Sequence, residues 1–495
     1  MRLRLTTVTK KPNPLYRFSD HFNIRKPQSQ LDFVDIPLDT DIKLYVDPYA
    51  LHTSPVDWLR ICGDLVVNYF QLLIVALREK NHAKAIMLLA NLHEPNETRL
   101  GESKGKPKGR GWGHEQANQL YRQLSGSKAV SSGLLKDLSD FEMLMPGIGS
   151  DKISDLAINV IRGELVAYTQ EQCELLDLPM ENVPAGVFWN PDDERWEAHY
   201  ENLPTYQGQG LILVPKIAVR RRLVPDNEEF YTHHVLPFLQ AEHLRAGSSL
   251  VYLLKNGEPR VSKKELRAKY KPTKDFLFSF SEKNPQILKT YKKGLPDKVN
   301  ETITDESIEG RQAVGREIDR QLTATALKAI KTGQADADSY HNFIVGALTE
   351  VFHPTLTRAT KEQPVDDGRK RIDIFFSNSA TSGFFSRLVH VHKYLAPYIQ
   401  VECKNYSSEL TNKEFDQLNG RLNRKRGYVG FLVCRKIIDR ALTLKRCRDF
   451  VNNDDKRIII VLDDNDIVAM LGFAEARQRA KIDELLEDRV KEILT

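Results

Sequence analysis

The spacing of apolar residues changes along this chain, and each change predicts a different kind of element. Over 55–80, Trp58, Ile61, Leu65, Val66, Tyr69, Leu72, Leu73 and Ala76 recur at helical spacing, which predicts a long amphipathic helix. Further helices are expected at 83–92, 114–124 and 133–144. Ser150-Asp151 opens another periodic stretch, with Ile153, Leu156, Ala157, Val160 and Ile161 on one face and either Ser150 or Asp151 as its cap. Short strands are expected at 31–38, 42–46, 186–189, 196–200 and 210–215, the last holding the apolar run Leu211-Ile212-Leu213-Val214. Residues 1–178 therefore read as a mainly α N-terminal domain, 179–280 as an α+β middle region, and 281–334 as a helical connector.

The pattern sharpens over 335–495. Asp336-Ala337-Asp338-Ser339 caps a helix expected at 340–352, with Phe343, Ile344, Ala347, Leu348 and Val351 as its apolar stripe, and Pro354 ends it. Strands follow at 356–360, 371–376, 399–404, 428–434 and 457–462, with helices at 412–424 and 440–452. Two of these strands carry charge where a core strand should not. Asp373 lies in one, and Glu402 and Lys404 lie two apart in the other, so they share a face. Burying such groups is costly unless they are paired or hold a metal. An acid on one strand, facing an acid and a lysine on the next, suits a hard divalent cation and a water.

This arrangement resembles the PD-(D/E)xK nuclease superfamily. Asp373 matches the motif aspartate, preceded by Arg371-Ile372 and not by proline, and Glu402-Cys403-Lys404 matches the E-x-K tripeptide. The resemblance covers about residues 335–470. It implies a restriction-endonuclease-like α/β domain over 335–495, a central mixed sheet flanked by helices in the order α-β-β-β-α-β-α-β. In that family the preceding helix often carries a glutamate that completes the metal site, and Glu350 is its match, with a surface glutamate as the rival reading. The order of E-x-K strand, loop, and helix with Gln417 resembles the Mrr-like branch. The implied cofactor is Mg²⁺ (or Mn²⁺), held by Asp373, Glu402 and the Cys403 backbone carbonyl, with Lys404 and Gln417 as catalytic partners. The implied reaction is phosphodiester hydrolysis in DNA by an endonuclease, as restriction or antiviral defence with a partner protein of such a system, or as repair. A DNA-binding module that does not cut is the alternative from another class. A homodimer is implied because cutting both strands needs two sites.

Composition adds limits. The 495 residues are 41% hydrophobic and 28% charged, ordinary for a globular protein with ample core. A net charge of +5 permits nucleic-acid binding without requiring it. Basic residues cluster at Arg421, Arg424, Lys425 and Arg426, at Arg220-Arg221-Arg222, and at Lys263, Lys264, Arg267, Lys269, Lys271 and Lys274 around Tyr270. The first run suits phosphates, and each of the other two reads either as a solvated face or as a nucleic-acid backbone contact. The glycine-rich stretch 101–113 carries Lys106, Lys108 and Arg110 but fails the spacing of a nucleotide-binding loop, leaving a solvated loop or a backbone-contacting one. His390-Val391-His392 reads as a strand edge and not a metal pair. Asp151 and Asp155 read as a cap and an exposed carboxylate. Five dispersed cysteines suggest reduced thiols, no apolar signal core follows Met1, and the run 65–77 is too short and polar to span a bilayer, so a cytoplasmic location without a membrane is expected.

Overall fold

The computed structural model describes residues 15–102, 114–132, 135, 138–295, 303, 305, 308, 320–361, 374–451 and 457–495. Two apolar cores organise them. One gathers side chains from Phe18 to Ile308, and the other gathers Leu175 and side chains from Leu327 to Ile493. The expected boundary at residue 178 does not separate two cores. The reason is the hairpin of β1 (Glu181–Asn190) and β2 (Arg195–Leu203), whose Trp189 and Trp196 are directly paired and pack edge-on against Tyr69 of the long N-terminal helix.

That helix is α1 (Asp57–Arg78), close to the expected span. It buries Trp58, Cys62, Val66, Tyr69, Phe70, Leu73, Ile74 and Leu77, a stripe of side chains three and four apart. Gly63 lets it cross the preceding helix, because a Cβ there would collide with the backbone of His52. By length and composition α1 could cross a membrane, yet half of its most apolar window is buried inside the protein. The next long element, α2 (Ser150–Val160), begins at Gly149 without a side-chain cap. Ser150 donates instead to Glu142, so neither expected residue caps it. α3 (Arg162–Leu175) follows.

Two predicted strands are buried but irregular. Over 211–214 every side chain is at most 1% exposed. Its backbone donors find scattered partners: Leu211 donates to Pro204, Ile212 to Glu97, and Leu213 to the Thr169 hydroxyl. With each N–H satisfied by a different segment, no ladder forms. The stretch 31–38 pairs only at isolated points, such as Phe33 with Pro215. Farther on, α4 (Leu236–Arg245) carries a short hairpin, β3 (Val251–Leu253) with β4 (Pro259–Val261), followed by α5 (Lys263–Lys269).

The second core is a mixed α/β unit. It opens with α6 (Ala337–Phe352) and β5 (Leu356–Thr360), then β6 (Ile374–Asn378), α7 (Gly383–His390), β7 (Tyr398–Lys404), α8 (Asn412–Asn419), β8 (Val429–Cys434), α9 (Arg440–Val451), β9 (Ile458–Asp463), α10 (Asp464–Glu475) and α11 (Arg479–Leu494). The sheet order is β9-β8-β7-β6-β5. β5, β6 and β7 are antiparallel, while β7, β8 and β9 are parallel and joined through helices. Every residue of β8 is buried, as expected of a central strand covered on both faces. α7 was not foreseen, and His390 ends it, so the expected strand edge at His390-Val391-His392 is a helix end.

The two units are joined at the edge strand β5. Arg358 donates its backbone N–H to Asp32 (3.0 Å) and forks its guanidinium onto Glu171 (3.0 and 2.7 Å). Gln172 donates to the Ala359 carbonyl. The N-terminal unit thereby covers an edge that would otherwise expose unpaired backbone.

Candidate active site

β7 sets the geometry of the candidate site. Tyr398, Gln400, Glu402 and Lys404 share one face because side chains alternate along a strand. Glu402 is 1% exposed. Its Oε1 accepts from Lys404 Nζ at 2.6 Å. Its Oε2 accepts from the Arg421 guanidinium. Lys404 Nζ also donates to Gln417 Oε1 at 3.2 Å. One carboxylate, two cations and one amide therefore form a continuous polar centre.

Local sequence explains how Gln417 reaches it. α8 starts at a capping box, with Thr411 and Glu414 satisfying each other. Phe415 and Leu418 bury one side of the helix, Leu418 directly over Gly430 of the next strand. A Cβ at Gly430 would meet Leu418 at 3.0 Å, so the glycine lets the helix lie close to the sheet. Gln417, beside Leu418, is left facing the end of β7.

The resemblance also nominated residues that the structure places elsewhere or leaves out. Asp373 lies outside the described residues, as do Lys106, Lys108 and Arg110 of the glycine-rich stretch. Ile374 pairs with Val401, so the described part of β6 starts beside the Glu402 end of β7. Cys403 is half-buried on the opposite face. Glu350 accepts from Gln30 Nε2 at 3.0 Å. It lies one turn from Gly346, which faces Lys26 and Gln30, so this side of α6 is turned to the N-terminal unit.

The basic run divides. Arg424 and Lys425 are exposed on a turn that Asn423 holds by accepting from the Lys425 and Arg426 amides, and Arg426 is half-buried. Arg421 departs from the expected phosphate-facing position. It is 5% exposed and its guanidinium is turned inward onto Glu402. α8 ends at Asn419, earlier than the expected 424, and the chain then turns the Arg421 side chain inward onto β7.

Sequence reasoning missed Gln400. It is fully buried, and neither its Oε1 nor its Nε2 has a hydrogen-bond partner among the described residues. Such a group is costly in a core. The available signal was its period-two spacing from Glu402 and Lys404.

A second acidic centre lies in the N-terminal unit. Asp155 on α2 is half-buried, and its carboxyl is pushed up to about 8 by burial and by the charges of Asp151, Glu94 and Asp41. It is not the exposed carboxylate that the sequence suggested. Among the described residues, no group of three or more His, Cys, Asp or Glu side chains is placed to hold a metal ion. Near Glu402 the described oxygen donors are this carboxylate, the Gln417 and Gln400 amide oxygens and backbone carbonyls, and Asp373 would add a second acid. A buried carboxylate beside a lysine is nevertheless a suitable first donor for such an ion.

A family model described as a domain of unknown function, DUF8370, matches residues 23–224. No curated protein and no solved structure matches the chain.

Proposed function

We propose that the unit from α6 onward is a restriction-endonuclease-like nuclease domain and that the protein is a metal-dependent DNA endonuclease. The observation that carries this reading is the joint engagement of Lys404 by Glu402 on its own strand and by Gln417 on the next helix. Asp373, Glu402 and the Cys403 carbonyl would hold Mg²⁺ or Mn²⁺. Bound there, the ion supplies Lewis-acid activation of a phosphate oxygen and of a water. Glu402 fixes the Lys404 ammonium in place. Lys404 then presents its charge to the oxygen on which negative charge develops. Gln417 limits the lysine's rotamers and positions the water or a phosphate oxygen. A role in restriction or phage defence, with the N-terminal unit recognising substrate or a partner protein, fits a cytoplasmic nuclease fused to a larger unit. Repair of DNA and a homodimeric assembly remain part of the same proposal.

A second reading rests on Arg421. Its pairing with Glu402 leaves the described centre with two cations and one anion, which suits phosphate binding without cutting. Plasmid cleavage separates the two. Wild-type protein with Mg²⁺ should nick or linearise plasmid, and Asp373→Ala and Lys404→Ala should lower the rate by at least a hundredfold (about 2.7 kcal/mol). Equal cutting by the variants would refute the site, and duplex binding with no cutting by any form would favour the second reading.

A further inference from the structure

The segment from Leu250 to Lys271 lies in the middle of the chain, outside the β7 centre. It holds seven Lys or Arg and two Glu, a net +5 that equals the net charge of all 495 residues. The charge sits on a rigid frame. β3 and β4 pair with Val251 opposite Val261 and Tyr252 opposite Arg260. Val261 is buried, its carbonyl accepts from Gln240 Nε2 on α4 at 2.6 Å, and Leu266 of α5 is fully buried. Alternation along the strands therefore turns the Tyr252–Arg260 pair outward. Tyr252 is 43% exposed and Leu253, at the hairpin end, 70%.

Most of these cations are uncompensated. Arg267 pairs with Glu228 and stands over the Tyr231 ring, and Lys269 stands over the Tyr270 ring. Lys255, Arg260, Lys263, Lys264 and Lys271 are exposed and have no side-chain hydrogen bond or ion pair among the described residues. Four like charges on one hairpin and helix, with Lys271 just beyond the helix end, repel one another and are relieved by an extended polyanion.

We propose that the β3–β4 hairpin and α5 form a docking surface for the phosphate backbone of duplex DNA. The choice of partner rests on the nuclease reading above. The cations are spread over a hairpin and a helix, which suits a backbone carrying one charge per about 1.7 Å of duplex axis. A membrane surface fits less well, because it would need a broad apolar face, and the central apolar residue of α5, Leu266, points inward. The exposed Tyr252 beside Arg260 adds a flat contact for sugar or base edges. This surface would hold substrate while the β7 centre acts on it.

The test uses the full chain and a short fluorescent duplex, with binding followed by anisotropy as NaCl rises from about 50 to about 200 mM. Arg260→Ala/Lys263→Ala/Lys264→Ala should keep the wild-type melting temperature, bind the duplex more than tenfold more weakly, and lower the slope of log affinity against log salt by about 2–3. An unchanged affinity and slope in the triple variant overturns the proposal. So does wild-type binding to phosphatidylserine vesicles in preference to duplex. If wild type binds through these residues but never cuts, the nuclease reading fails and the docking surface stands. If wild type cuts and the triple variant binds and cuts equally well, the reverse holds.

Discussion

Glu402 and Asp155 are both carboxylates withdrawn from water, and they are held in opposite ways. Glu402 is flanked by Lys404 and Arg421, each within ion-pair contact. Asp155 is surrounded by Asp151, Glu94 and Asp41, and its carboxyl rises to about 8. Burial alone raises a carboxyl pKa, and the neighbours decide whether it stays a fixed charge or becomes a proton-binding group. The first arrangement suits a centre in which one carboxylate holds a lysine and an arginine in place. The second makes stability respond to pH.

The largest test of this contrast removes a cation. Arg421→Met should destabilise the protein by about 3–5 kcal/mol, because it strips one partner from a charge with almost no access to water. Denaturant unfolding measures the loss, and Glu402→Gln in the same chain should recover most of it. A single variant as stable as wild type would break the comparison, since Glu402 would then not depend on its cations.

A smaller effect is expected two residues away. Gln400→Leu removes a buried amide with no partner among the described residues. Stability should rise by about 1–2 kcal/mol. If cleavage falls as stability rises, Gln400 belongs to the polar face that Glu402 and Lys404 define. If cleavage is unchanged, the contrast narrows to the paired charges themselves.

These two residues also mark what could be read in the sequence. The order of elements from α6 to β9 was legible, because long apolar runs and helical stripes alternate with clear breaks. α7 was not, since it is only eight residues long, follows a strand, and carries its apolar signal in two short pairs, Phe384-Phe385 and Leu388-Val389. The pairing of Glu402 with Lys404 followed from period two, which is local. The contact with Arg421 was not readable, because it depends on where α8 ends and how the next turn folds back. Asp155 was missed for a related reason. Asp151 is its i,i+4 neighbour on α2, but Asp41 and Glu94 come from distant positions, and only tertiary packing brings them to it. Glu350 lay on the right helix, but the helix turns that face to Gln30.

The remaining test concerns Asp155, and its sign is fixed by linkage. In the unfolded chain an aspartate ionises near 3.9. In the folded protein Asp155 ionises near 8, chiefly because burial disfavours the charge. Between those values the folded state holds a proton that the unfolded state has released. Its contribution to stability is therefore complete below about pH 4 and is lost as pH rises through about 8. Asp155→Asn keeps the shape of the side chain and cannot ionise. The variant should exceed wild type only slightly at pH 5 and by several kcal/mol at pH 9, the gap growing by roughly 1.4 kcal/mol per pH unit between about 4 and 8. Thermal unfolding at the two pH values reads this directly. A difference that stays constant with pH would mean that Asp155 is already ionised at pH 5, and the distinction between its setting and that of Glu402 would fall.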